Sequence, residues 1–177
     1  MKYEGRFRGL VQIYTGDGKG KTTAAAGLAA RAAESGLRTE IVQFMKKGGS
    51  GEMEFLKRSG MVSVRSYGTD GFSVPGSPDP QSVSAAGEAL EAARSIMSGM
   101  EEGLLVLDEI NCAVSFGLIK EDDVLSLIDS RPSGVELVLT GRGATEKVMG
   151  KADLVTEMRE IRHPWKSGTP ARKGIEY

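Results

Sequence analysis

Short apolar runs alternate along the chain with stretches of helical spacing. Residues 10–14 (Leu-Val-Gln-Ile-Tyr) predict a strand, and the Ala-rich stretch over 21–34 predicts a helix closed by Gly36. Residues 39–45 predict a second strand, 52–59 a short helix, and 61–67, with Val62, Val64 and Ser66 alternating, a third strand. Gly, Pro, Asp and Ser crowd residues 68–80 into a long loop, of a length that in a compact domain usually serves function or motion. Asp79-Pro80 predicts a helix start, with the carboxylate as cap and the proline in the first turn. Val83, Ala86, Leu90, Ala93 and Met97 mark one face of that helix. Leu104-Leu105-Val106-Leu107 is apolar throughout, as a strand covered on both faces must be, and it runs into Asp108-Glu109. Residues 120–129 predict a helix stopped by Pro132, and 135–140 a buried strand that leads into Gly141-Arg142-Gly143. A short helix near 144–150 and a strand near 153–158 complete the pattern.

Strand and helix alternate without an internal repeat or linker. The expectation is an α/β domain spanning 1–177, with a mostly parallel sheet, helices on both faces and ligand chemistry at the carboxyl ends of the strands. From about residue 159 the chain is irregular, with five basic residues (Arg159, Arg162, Lys166, Arg172 and Lys173) against Glu160 and Glu176.

Composition narrows the chemistry. The 177 residues are 40% hydrophobic and 27% charged, an ordinary globular balance. The net charge of −1 excludes a polyanion binder that works by bulk charge, so no nucleic-acid partner is expected, while a local anion site stays open. The single cysteine, Cys112, excludes an internal disulfide and a multi-cysteine zinc site; its apolar setting suggests a small buried residue. The single histidine, His163, argues against a His-based metal site or a Ser-His-Asp triad. No run reaches the ~20 apolar residues that span a bilayer. The first residues lack the apolar stretch of a signal peptide, so a reduced cytoplasmic setting is expected. Glycine stands out at 24 residues, about twice the usual ~7%.

Those glycines concentrate where strand 10–14 meets helix 21–34, in Thr15-Gly16-Asp17-Gly18-Lys19-Gly20-Lys21-Thr22-Thr23. Successive backbone N–H groups in such a turn form a nest for phosphate oxygens, and the helix adds its positive end. Lys21 supplies a point charge and the Thr22 hydroxyl a ligand for Mg²⁺. In the usual P-loop, G-x-x-x-x-G-K-[ST], the first glycine would fall at Thr15; here Gly16 and Gly18 stand in its place. Asp108, ending a buried strand, is either the acid that holds Mg²⁺ or a helix cap. Glu109 could orient a water, contact a ribose or reach the metal. Arg142 lies on the same rim and fits a phosphate or a surface ion pair. Lys46 is a weaker candidate, expected to be solvated. On residues alone this is a nucleoside triphosphate-binding α/β protein with few general bases or nucleophiles.

The full set of motifs resembles the ATP:corrinoid adenosyltransferases of the CobA/BtuR type. The resemblance rests on the loop at 15–25, Val42-Gln-Phe-Met-Lys46, Gly68-Thr-Asp-Gly-Phe72 and Leu107-Asp-Glu-Ile-Asn111. It continues through Arg131-Pro132, Leu139-Thr-Gly-Arg-Gly143, Ala152-Asp-Leu-Val-Thr-Glu157 and His163-Pro164 to Gly174-Ile-Glu-Tyr177, in family order from about residue 9. It implies a single P-loop NTPase domain of RecA-like type. The implied reaction moves the 5′-deoxyadenosyl group of ATP to cobalt(I) of a corrinoid, such as cobalamin or cobyrinic acid a,c-diamide, and releases triphosphate. ATP is implied to lie reversed along the loop, with its γ-phosphate in the usual α position. The implied catalytic residues are Lys21, Arg142 and Glu109. Gly16, Asp17, Gly18, Lys19, Gly20, Lys21, Thr22 and Thr23 would bind nucleotide, and Thr22, Asp108 and Glu109 would hold Mg²⁺ or Mn²⁺. Phe72 and Val74 would meet the corrinoid, where apolar side chains displace the lower cobalt ligand; many relatives carry Trp where Val74 stands. A flavoprotein or other reductase and a homodimer are the implied partners. Relatives often have a longer N-terminal lid; with nine residues before Leu10, no lid is expected. The alternatives are a P-loop ATPase or small-molecule kinase, or a nucleotide-dependent corrinoid-binding module without catalysis.

Overall fold

The structure is a computed structural model that describes residues 7–48, 50–69 and 77–176. Six strands form one sheet, β1 (Val11–Thr15), β2 (Thr39–Phe44), β3 (Val62–Tyr67), β4 (Glu102–Asp108), β5 (Gly134–Thr140) and β6 (Leu154–Glu157). Their order is β3-β2-β4-β5-β1-β6, and every described pairing is parallel. Helices α1 (Lys21–Glu34), α2 (Gly51–Arg58), α3 (Pro80–Ser98), α4 (Ile110–Ser115), α5 (Glu121–Asp129) and α6 (Glu146–Met149) connect them, and a 3₁₀ turn, Pro164–Ser167, follows β6.

Alternation along the strands sorts their side chains onto two cores. Ile13, Val42, Phe44, Leu105, Leu107, Leu137 and Leu139 pack with α3, α4 and α5 on one face. Ile41, Leu104, Val106 and Val138 pack with the alanines of α1 and with Met53 and Leu56 of α2 on the other. Both faces are therefore covered, which is why Leu104–Leu107 of β4 reads as an unbroken apolar run. The small residues Ala25, Ala29 and Ala32 let α1 lie close on the sheet. Val83, placed by periodicity on the buried face of α3, is instead 39% exposed, and its neighbour Ser82 takes the buried position in that turn.

The helix signals act locally as expected. The Asp79 carboxylate accepts from the Ser82 N–H at 2.9 Å, with Pro80 in the first turn of α3. Gly36, in the left-handed region at φ 82°, lets the N–H groups of Gly36 and Leu37 close on the carbonyls of Ala33 and Ala32 at the end of α1. β1 begins at Val11 rather than Leu10 and β2 ends at Phe44.

The order of strands positions the site. The loop after β1 and the end of β4 are separated by β5, and Thr22, in the first turn of α1, reaches across to Asp108. Gln43 pairs in register with Asp108, and Leu107 with Leu139, so Gln43, Asp108 and Thr140 form one polar row across β2, β4 and β5. By alternation that row lies on the α1 face.

Candidate functional site

The loop of residues 16–20 joins β1 to α1 through two left-handed glycines, Gly16 at φ 89° and Gly20 at φ 118°. Gly16 makes the sharp turn one residue later than the usual pattern, which accounts for Thr15 in the ordinary glycine position. A Cβ on Gly18 would lie 2.7 Å from the Met158 carbonyl oxygen, which accepts the Gly18 N–H at 2.6 Å. The residue that follows the short edge strand β6 thus props the loop.

Lys21 turns its ammonium into that loop and donates to the carbonyls of Gly16 and Gly18 at 2.6 and 2.7 Å. Burial, and then the Arg142 guanidinium, hold it below the ordinary lysine value. Thr22, in the first turn of α1, donates its hydroxyl to Asp108 Oδ1 at 2.9 Å.

Asp108 is fully buried and accepts four hydrogen bonds. Thr22 and Thr140 donate to Oδ1, Thr140 at 2.7 Å. Gln43 and Lys46 donate to Oδ2 at 2.9 and 2.7 Å. Burial alone pushes this carboxyl up, but the Lys46 ammonium and the surrounding hydrogen bonds hold it below the ordinary aspartate value. The cap of α4 is Glu109, so Asp108 is not a helix cap. Lys46, expected to be solvated, is instead ion-paired with Asp108.

Glu109 adopts a left-handed backbone at φ 65°, and its N–H donates to Thr140 Oγ1 at 2.9 Å. The Glu109 charge acts on the Cys112 thiol, and the Cys112 sulfur accepts the Arg142 N–H at 3.2 Å. Cys112 is therefore a half-buried member of the rim rather than core. Burial, then the Glu109 charge, push its thiol up to about 12. Arg142 is exposed and lies 4.0 Å from the Asp17 carboxylate.

The tail returns to the loop. Lys19 donates to the Ile175 carbonyl at 3.1 Å and to Glu176 Oε1 at 3.3 Å. Hydrogen bonds from the Arg172 side chain and backbone, with help from Lys19, hold the Glu176 carboxyl down at about 2. Thr23 donates to Glu52 at 3.0 Å and so ties the first turn of α1 to α2.

These elements enclose a cleft of about 750 Å³. Asp17 to Thr23, Lys46, Glu109 and Arg142 line it, and His163, Gly174 and Glu176 close its far side. The structure thus gathers the sequence candidates, with Asp108 buried beneath them and Glu109 turned toward Cys112. Phe72 and Val74 lie outside the described residues. Gln43, Thr140 and the tail carboxylate are additions. The first two carried a readable signal, a polar residue near the carboxyl end of a strand, directly preceded by apolar residues.

Thr22 and Asp108 place two hard oxygens side by side, and Mg²⁺ takes one or two protein oxygens with phosphates and waters completing its shell. The donor set therefore fits Mg²⁺. Among the described residues no group of three or more His, Cys, Asp or Glu side chains gathers as a metal centre. No helix among them is long and apolar enough to cross a membrane.

Residues 7–177 match the model of the family described as ATP:corrinoid adenosyltransferase BtuR/CobO/CobP. The corrinoid adenosyltransferase of Pseudomonas aeruginosa is 37% identical over 172 residues, covering 96% of this chain and 84% of its own length. That of Escherichia coli K12 is 32% identical, covering 96% of this chain and 86% of its own. The corrinoid adenosyltransferase CobA of Salmonella typhimurium is similar at 32%, with the same coverage. With the phosphate-type loop, its buried acid and a match over nearly its whole length, the chain belongs to the ATP:corrinoid adenosyltransferase family.

Proposed function

We propose that this protein is an ATP:corrinoid adenosyltransferase, which moves the 5′-deoxyadenosyl group of ATP to cobalt(I) of a corrinoid. The observation that carries the reading is the Gly16–Thr23 loop locked to Asp108 through Thr22, in a chain that matches the family over 7–177.

The reaction is a displacement at carbon. The cobalt(I) electron pair attacks the 5′ carbon, the carbon–oxygen bond breaks, and that oxygen leaves with triphosphate. The metal is its own nucleophile, so no side chain has to remove a proton. The cleft offers the triphosphate four cations, Lys19, Lys21, Lys46 and Arg142. The protein's task is orientation and charge: loop N–H groups and Lys21 hold phosphate oxygens, and Arg142 adds a guanidinium. Lys21 already points between two carbonyls of the loop, so a phosphate has only to draw it outward. A bound Mg²⁺ or Mn²⁺ would be held by Thr22 and Asp108, with Glu109 nearby, and would neutralise charge on the leaving triphosphate. Lys19 would meet phosphate or keep the tail in place.

The finer features rest on the family likeness. ATP lies reversed along the loop, as suits an enzyme that must present carbon 5′ rather than the γ-phosphate. Phe72 and Val74 meet the corrinoid. A separate reductase supplies cobalt(I), and the working unit is a cytoplasmic homodimer.

The test is anaerobic incubation with Mg-ATP and chemically reduced cob(I)alamin. Adenosylcobalamin with triphosphate is the expected outcome. Release of ADP without a cobalt–carbon bond would make this a P-loop ATPase or kinase.

A further inference from the structure

The buried Asp108 carboxylate is saturated. A carboxylate offers about four lone-pair sites, and four donors fill them: Thr22 and Thr140 on Oδ1, Gln43 and Lys46 on Oδ2. A divalent ion can reach either oxygen only if a donor withdraws.

Three of the four donors are fixed. Gln43 and Thr140 are fully buried on β2 and β5, and Thr22 stands in the first turn of α1. Lys46 is different. It sits in the loop after β2 on a flexible stem, and its side chain is 27% exposed toward the cleft. Its ammonium lies 2.7 Å from Asp108 Oδ2 and 3.4 Å from Thr22 Oγ1, the two residues assigned to the metal. A positive charge therefore already stands where the divalent ion would.

The backbone holds Lys46 there deliberately. Met45 turns the chain through a left-handed conformation at φ 58°, which a side-chain-bearing residue rarely adopts. Across from it, Gly68 packs so closely that a Cβ would fall 2.5 Å from the Lys46 nitrogen. The placement is built by two loops rather than left to a free lysine.

We propose that Lys46 is an exchangeable resident cation, which neutralises Asp108 in the metal-free protein and cedes Oδ2 to the divalent ion when that ion enters. The released ammonium stays within the cleft, where nucleotide phosphates are its natural partner. Lys46 is then a positioning residue, which keeps the buried acid aligned between turnovers. The inference rests on the assignment of Thr22 and Asp108 to the metal.

The test uses Mn²⁺ alone, with binding to the full chain followed by electron paramagnetic resonance and no nucleotide present. Lys46→Met should bind Mn²⁺ at least tenfold more tightly than the wild type, because the competing charge is gone. Its melting temperature without metal should fall, and Mn²⁺ should restore it. Lys46→Arg, which keeps a cation, should return Mn²⁺ affinity toward the wild-type value. Mn²⁺ affinity equal to or weaker than wild type in Lys46→Met overturns the exchange. A second measurement needs no variant: Mn²⁺ should raise the rate at which Lys46 of the wild-type protein is labelled by an amine reagent, and an unchanged rate overturns the exchange. Asp108→Asn separates the two ideas. Loss of Mn²⁺ binding there upholds the metal assignment whatever Lys46 does, and undiminished binding removes that assignment and the exchange together.

Discussion

Thr140 and Asp108, on neighbouring strands β5 and β4, are joined by a 2.7 Å hydrogen bond in which the threonine hydroxyl donates. The same hydroxyl accepts the Glu109 N–H. One oxygen thus aligns the buried acid and supports the left-handed turn that follows it. Thr140→Val keeps the shape and removes both functions, leaving a buried N–H without its acceptor. A loss of about 1–3 kcal/mol in unfolding free energy follows, measured by urea denaturation, and Thr140→Ser should recover most of it. A valine variant as stable as the parent would show that the hydroxyl does not hold Asp108.

Lys21 is the residue whose removal should separate fold from activity. Its ammonium is held by two carbonyls of its own loop and touches no distant element. Lys21→Ala should keep the far-ultraviolet circular dichroism of the parent and lower adenosyl transfer by about 10²–10³-fold, the usual range for losing a charge-stabilising donor. Lys21→Arg should rescue little, because a planar guanidinium does not fit the space between two carbonyls. Transfer at the parent rate in the alanine variant would remove Lys21 from the site.

Much of this arrangement was readable in the residue order, for physical reasons. The apolar run of β4 and the Ala-rich face of α1 announce a covered sheet, and Gly20-Lys21-Thr22 at a strand–helix junction announces a phosphate site. What stayed hidden depended on pairing between distant segments. Nothing local tells that Lys46 closes on Asp108, 62 positions away, or that Lys19 meets Glu176. Those contacts follow from the strand order and from the path of the tail. Neither leaves a periodic trace.

Two glycines should respond in opposite directions to the same substitution. A Cβ at Gly18 would press on the Met158 carbonyl at 2.7 Å, and the backbone on both sides is hydrogen-bonded and cannot easily yield. Gly18→Ala should displace the loop and weaken ATP binding at least tenfold, about 1.4 kcal/mol, as read by calorimetric titration. Gly27 lies in the interior of α1 on its exposed side, and a Cβ there meets nothing within 4 Å. Gly27→Ala should stabilise the protein by about 0.5–1 kcal/mol, mainly by restricting the unfolded chain. Equal effects at the two sites would contradict the packing of the loop on the segment after β6.

Cys112 offers a reporter of Glu109. Its thiol is pushed up to about 12, first by burial and then by the neighbouring carboxylate, which repels a thiolate. Only the thiolate is alkylated, so at pH 8.5 the folded protein should react with iodoacetamide on the order of a thousandfold more slowly than free cysteine. The sign for stability follows from which state loses its proton first. The unfolded thiol ionises near ~8.5 and the folded one only near 12, so this contribution is fully present below ~8.5. It declines as the pH rises between those values. Glu109→Gln removes the repelling charge and leaves burial in place. Alkylation should then quicken severalfold yet stay slower than for free cysteine, with the rate followed by mass spectrometry across pH 7–10. An unchanged rate would mean that the Glu109 carboxylate does not rest against Cys112, and that it is free to face the cleft instead.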